Sequence, residues 1–258
     1  MTRVRLVAWH VFKESVRDRV LFAIAGFALI LVAASVLIGQ ITAGQDVKII
    51  KDIGLATLEL AGVLMAVFIG VGLVAREIER RSVYALLAKP VHRWEFVVGK
   101  FAGLVGTITV NLLLMTLALF ALLAWLEWKM PDLALFKAVI LILAELALLT
   151  AVALFFSTFS SSGILSAGLT LGVFVVGLFS EDLRGFSGIV SSEMLASVVR
   201  AIGVIVPAFS AFDIKADVVN GRPPVPWAYV AMTVAYAACY AGALVGGAVA
   251  IFSRREFK

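Results

Sequence analysis

Long apolar stretches, separated by short polar ones, alternate along most of this sequence. A helix needs about 20 mainly apolar residues to cross the hydrocarbon core of a membrane, and six stretches are long enough. We place these predicted spans at residues 20–39, 57–75, 101–126, 133–156, 163–179 and 227–252. The pattern therefore predicts an all-α fold, a single polytopic domain of residues 1–258 with six transmembrane helices.

Two polar segments near the start of the chain are predicted from their periodicity and charge. Residues 1–19 place Val4, Val7 and Val11 on one helical side and most charged residues opposite. This predicts an amphipathic helix in the membrane interface, and an ordinary solvated tail is the alternative. Residues 41–56 carry four charged side chains and are predicted to form a polar loop between the first two spans.

The longest segment between predicted spans covers residues 180–226. Part of it, residues 189–206, has leucine, valine and isoleucine on one helical face, but serines and charged residues interrupt the apolar run. We predict a helix over residues 189–206 that ends before Pro207. We expect short helices here, and the pattern leaves open whether the helix at 189–206 lies on the membrane surface or re-enters the membrane.

Composition and charge define the class of protein and its orientation. Hydrophobic residues make up 62% of the 258 residues and charged residues 15%, against roughly a quarter charged in a soluble protein. The segments on one side of the predicted spans hold 14 Lys and Arg, and those on the other side hold 8. The composition predicts a multi-pass protein of the inner (plasma) membrane. Because the basic excess marks the cytoplasmic side, both termini and residues 76–100 are predicted to be cytoplasmic, and residues 180–226 extracytoplasmic.

The densest block of charge lies in residues 76–100. Nothing breaks a helix there until Pro90, whose ring fixes φ and removes a hydrogen-bond donor. A helix with this many charges is predicted to lie outside the bilayer. It would still expose the apolar side chains of Val83, Leu86 and Leu87, which indicates a docking site for another protein. The alternative is a solvated loop that only joins two spans.

The sequence lacks the motifs of several enzyme and metal-binding classes. It contains neither the phosphate-binding pattern G-x-x-x-x-G-K-[ST] nor the zinc-protease pattern H-E-x-x-H. Its six methionines are scattered, so no thioether copper site is encoded. We therefore expect no catalytic residue, no metal site, no cofactor bound by this chain and no nucleic-acid partner.

Two polar side chains fall inside predicted spans. Glu145 lies near the middle of the fourth span, where an acidic group costs a few kcal/mol. Asn111, in the third span, lies at a similar depth, about 15 Å from the inner end. The two spans are antiparallel neighbours, so Asn111 and Glu145 could form a structural hydrogen bond or could line a polar path or gate.

The charged block also carries a family resemblance. The patterns Glu77-x-Glu79, Leu86-Leu87-x-Lys89-Pro90-Val91-x-Arg93 and Gly99-Lys100 resemble the cytoplasmic loop of permeases in the ABC type-2 exporter family. Within that family, they are most similar to the permease of the transporter that serves copper-site maturation in nitrous oxide reductase. The sequence departs from the pattern at Arg81-Ser82, where many members have Gly-Thr.

The resemblance implies a type V exporter fold in which this loop holds a coupling helix. The coupling helix docks into a separate ATPase subunit, which binds ATP and Mg. The implied docking residues are Glu77, Glu79, Arg80, Val83, Leu86, Leu87, Pro90 and Arg93. The expected assembly has two permease copies and two ATPase copies, surrounded by membrane lipid.

The resemblance therefore implies a transport subunit, not an enzyme, that couples ATP hydrolysis by its partner to export of a substrate. Two alternatives remain. The chain could transmit force to an extracytoplasmic partner through residues 180–226 without bulk transport. It could also be a membrane-embedded enzyme that uses Glu145 with Asn111.

Overall fold

The computed structural model describes residues 2–41, 46–79, 92–127, 132–160, 162–182, 203 and 205–254. These parts of the chain are helical and contain no strand. The helices are α1 (Thr2–Ser15), α2 (Arg19–Ile41), α3 (Asp46–Glu79), α4 (Arg93–Glu127), α5 (Leu133–Phe159), α6 (Gly163–Leu178), a 3-10 helix (Phe209–Phe212), α7 (Lys215–Val219) and α8 (Trp227–Arg254).

Five of these helices, α2, α3, α4, α5 and α8, are long and apolar enough to cross a membrane. The sixth candidate, α6, is apolar but has 16 residues, which span about 24 Å of a hydrocarbon core about 30 Å thick. The all-helical, polytopic character agrees with the sequence prediction, and the sixth span stays a prediction.

The prediction of a polar loop at residues 41–56 was wrong over most of its length, because α3 already begins at Asp46. The charged residues of this stretch alternate with apolar ones at helical spacing. Ile50 and Leu55 are buried, and Gly54 lies against Leu119 of α4. Because this apolar side is buried, α3 starts at Asp46 and not at residue 57, where the predicted span starts.

The two ends of the bundle are distinguished by the connections between helices. We call the end at which α3 finishes and α4 starts the loop end, and the opposite one the far end. The start of α8 contacts the start of α5, since Lys137 lies over the Trp227 ring at 5.0 Å. The end of α8 contacts the start of α4, since the Phe96 and Phe252 rings are 5.8 Å apart. The helix α8 therefore runs from the far end to the loop end, parallel to α5.

The centre of the bundle is α5, which packs against α3, α4, α6 and α8. Glycines let α3 come close to it. A Cβ added at Gly70 would lie 2.6 Å from Cβ of Ala153, and one at Gly62 would overlap the end of the Leu146 side chain. Small residues at such crossings allow dispersion contacts between backbones, which stabilise helix pairs in lipid.

At the loop end, α1 packs along the first turns of α4. Val11 is buried, and Val7 lies against Gly99. The backbones approach closely, because a Cβ at Gly103 would lie 2.6 Å from the Ala8 carbonyl oxygen. The valine side of α1 thus covers α4, and the position of α1 in the membrane interface stays a prediction.

Candidate functional site

Within the charged block of residues 76–100, residues 80–91 join α3 to α4 at the loop end, and we call them the docking segment. Glu77 and Glu79 lie on the last turns of α3, which continues without a break from the membrane span. The other predicted docking residues before α4, which are Arg80, Val83, Leu86, Leu87 and Pro90, lie outside the described residues. The coupling helix itself therefore stays a prediction.

Arg93, the last predicted docking residue, is the first residue of α4. Its Nη1 donates hydrogen bonds to the carbonyl oxygens of Phe252 at 3.2 Å and Ser253 at 2.8 Å. These carbonyls belong to the last turn of α8, where the helix dipole favours a positive charge. The guanidinium thus ties the start of α4 to the end of α8, and a docking role for Arg93 stays a prediction.

The start of α4 is also fixed locally. The backbone N–H of His92 donates to Oε2 of Glu95 at 2.9 Å, as the acidic residue of a capping box does. Lys100 is only 1% exposed, and its ammonium lies 5.4 Å from the centre of the Phe96 ring. The residues that follow the docking segment are therefore held firmly in the bundle.

The two polar residues predicted inside the spans lie at matching depth but are not hydrogen-bonded to each other. The Phe120 and Phe136 rings are in contact at 4.8 Å. Asn111 lies nine residues before Phe120 and Glu145 nine residues after Phe136, so on these antiparallel helices both are displaced equally toward the loop end. Asn111 donates instead to the carbonyl of Thr107 at 2.9 Å. Glu145 is 2% exposed and has no hydrogen bond to the described residues. The role of this pair as a path or gate stays a prediction.

Residues 205–226, which we call the far-end segment, are anchored to α8 by three tyrosines. Tyr229 donates to the Ala211 carbonyl at 2.8 Å, and Tyr240 donates to the Ile205 carbonyl. Between them, the hydroxyl of Tyr236 accepts a hydrogen bond from the backbone of residue 208 at 3.0 Å.

This order places the start of the far-end segment well along α8 from the far end, although Ile205 itself is 72% exposed. Tyr240 is eleven residues beyond Tyr229 and therefore about 16 Å deeper along α8. Ile205, which Tyr240 binds, lies at that depth. This favours the re-entrant alternative for the described end of the segment, and the rest of 189–206 lies outside the described residues except for residue 203.

Aromatic packing closes the space above the short helix α6. Phe209 and Phe212 of the 3-10 helix are 0% and 2% exposed. The Phe209 ring meets Phe174 edge to face at 5.1 Å and fills the space beside Gly177, where any side chain would overlap it. The far-end segment thus covers the end of α6.

An ion pair joins the far-end segment to α3. Lys215 of α7 pairs with Glu59, and its ammonium also lies 3.7 Å from Asp213. The side chains of Lys215 and Glu59 are only 18% and 12% exposed. Burial lowers the pKa of Lys215, and the charge of Asp52 opposes this shift. The ammonium thus depends on surrounding carboxylates in place of water.

Sequence reasoning missed these far-end contacts. Glu59 and Lys215 are far apart in the chain, and nothing in their local patterns pairs them. Lys137 lies near a span end, from which its side chain would be expected to reach the interface, but it is 4% exposed and donates to the Val225 carbonyl at 2.7 Å. The one available signal was a charged residue within or beside an apolar stretch, which needs a partner.

Comparison with known protein families connects this architecture to a function. The sequence model of a family described as "ABC-2 family transporter protein" matches residues 5–197, about three quarters of the chain. The chain belongs to the ABC-2 transporter family. It is accordingly the membrane permease component of an ABC transporter, a transport subunit in a family whose members generally work with an ABC ATPase.

Membership of the ABC-2 family confirms the resemblance that the charged block indicated. The match covers the docking segment and all helices from α1 to α6, apart from the first residues of α1. A search of curated proteins gave no match. The narrower similarity to the permease for nitrous oxide reductase maturation therefore stays a prediction.

Proposed function

We propose that this ABC-2 permease is the transmembrane subunit of an exporter, assembled from two permease copies and two ATPase copies. It would cross the inner membrane six times, with α6 as the fifth span and both termini in the cytoplasm. The chain would bind no cofactor of its own, and ATP and Mg would bind in the partner ATPase.

The observation that carries the proposal is the arrangement of helices around the docking segment. Helix α3 has 34 residues, about 51 Å, which exceeds the hydrocarbon thickness of about 30 Å. It therefore provides a continuous rod from the far end to the residue before the docking segment. On the other side of that segment, Arg93 joins α4 to α8.

This arrangement suits the transmission of movement from an ATPase. A force applied to residues 80–91 would act on α3 at Glu79 and on α4 at Arg93, and the Arg93 contacts would pass it to α8. Closure of two ATPases on nucleotide would draw the two docking segments together and tilt these helices as rigid bodies. The tilt would reach the far-end segment through Glu59 and the tyrosines of α8. It would thereby open or close the exit of the substrate path at the far end.

A pull-down from native membranes tests the proposal. We expect the affinity-tagged permease to bring down an ABC ATPase. Leu86→Asp should abolish this association, because it puts a charge on the apolar side of the docking helix, whereas the matched control Leu86→Ile should retain it. Absence of an ATPase from the wild-type sample would refute the assembly, and its full retention by Leu86→Asp would refute docking through this helix.

A further inference from the structure

An apolar groove of about 600 Å³ runs between α1 and α4 at the loop end. It exists because the glycines of α4 hold α1 close while leaving space beside it. Gly106 contributes no side chain, and Ala102 contributes only a methyl group. The opposite wall is formed by Trp9 and Phe12, whose rings stack with centres 5.6 Å apart.

A single basic side chain stands among the residues that line this groove. Arg5 lies one helical turn before Trp9, is exposed, and forms no hydrogen bond or ion pair with any described residue. A guanidinium binds phosphate through two parallel hydrogen bonds. The groove is apolar and has this guanidinium among its lining residues. It therefore matches a molecule that has both a hydrocarbon chain and an anionic headgroup.

The surroundings of the groove are those of a membrane boundary. Ala102 is at the start of the apolar part of α4, while Trp9 is 65% exposed beside it. Tryptophan is enriched at the headgroup level of membranes. Residues 1–19 contain five Lys and Arg but two acidic residues, which favours anionic over zwitterionic lipid.

We propose that this groove is a binding site for one anionic phospholipid, with an acyl chain along Ala102 and Gly106 and the headgroup phosphate on Arg5. A peptide or a second copy of the chain fits less well, because the groove offers backbone groups almost no polar partner. The proposal does not rest on the ATPase partner and can be tested on the permease alone.

Native mass spectrometry of the permease released from nanodiscs of equal phosphatidylglycerol and phosphatidylcholine tests the proposal. We expect the wild type to retain phosphatidylglycerol preferentially. Arg5→Gln should lower the ratio of retained phosphatidylglycerol to phosphatidylcholine about fivefold, since one basic residue near anionic lipid contributes about 1 kcal/mol. The matched control Lys13→Gln removes an exposed charge of α1 outside the groove and should change the ratio less than twofold.

A second variant tests the apolar part of the site. Ala102→Trp fills the groove from the exposed side of α4 and should reduce the total retained phospholipid, with unchanged helicity by circular dichroism. Equal effects of Arg5→Gln and Lys13→Gln would overturn the proposal, because the preference would then be a general charge effect. Retention of no phospholipid by the wild type, or of a peptide or a second copy in the groove, would overturn it as well.

Discussion

The ion pair between Lys215 and Glu59 allows a quantitative test of how the far-end segment is held. Lys215→Met removes the cation and leaves Glu59, with a side chain only 12% exposed, beside Asp213 without its partner. Glu59→Gln with Lys215→Met removes both charges at similar volume. The two variants therefore separate the cost of an unpaired charge from the net value of the pair.

The expected magnitudes follow from the burial of the two side chains. Removing one member of a buried pair costs about 3 kcal/mol, whereas replacing both is neutral to within about 1 kcal/mol. The lowered pKa of Lys215, caused by burial, agrees with an ammonium that has lost much of its hydration. We thus expect the double variant to be more stable than Lys215→Met.

Hydrogen exchange of the far-end segment measures this difference locally. A loss of about 3 kcal/mol should lower amide protection there about 150-fold in Lys215→Met, against about fivefold or less in the double variant. The same segment supplies a control, because Asp217 and Arg222 form a pair at 3.0 Å with side chains 39% and 66% exposed. Asp217→Asn should cost about 0.3 kcal/mol, less than twofold in protection.

Two results would refute the reasoning. Protection in Lys215→Met that equals the wild type would mean that the ion pair does not hold the segment. Equal losses in Lys215→Met and the double variant would mean that packing or the lysine stem, not an unpaired carboxylate, causes the effect.

Three further predictions concern the helix contacts. Arg93→Ala removes two charge-assisted hydrogen bonds to the end of α8 and should cost about 2 kcal/mol. This loss should appear as faster hydrogen exchange in the last turn of α8, and unchanged exchange there would contradict the prediction. Gly70→Ala should lower the free energy of unfolding by about 1 kcal/mol more than Gly62→Ala, seen as a lower melting temperature in detergent, because Ala153 cannot rotate away as the Leu146 side chain can. The reverse order would show that α3 shifts freely. Glu145→Gln should fold normally, since the amide has nearly the same shape, and should change ATP turnover of the reconstituted complex. Unchanged turnover would rule out the predicted role of Glu145 in a polar path or gate.

Several features of this permease could be predicted from local sequence alone. The ends of α5 and α6 agree with the hydropathy pattern to within three residues, and α2 and α8 agree to within two. Hydropathy succeeds here because the transfer free energy of each apolar residue into lipid depends on that residue and its immediate neighbours. The charged block at residues 76–100 likewise carried the family resemblance within a short stretch of the chain.

Contacts between helices could not be predicted in the same way. The sequence allows a hydrogen bond between Asn111 and Glu145, but in the structure Asn111 donates to Thr107 of its own helix. The sequence also gives no indication that Arg93 binds the carbonyl oxygens at the end of α8. Between helices in lipid there is little hydrophobic preference, so close approach and polar contacts decide which faces meet.

Local sequence therefore determined the position of most of the long apolar helices, the helical class and the family of this protein. Only the tertiary structure decided that Lys215 reaches Glu59, that α8 is tied to α4, and that α1 leaves an open groove beside the glycines of α4. The reason is that these features depend on where distant residues meet in space, and hydropathy reports only on residues adjacent in the chain.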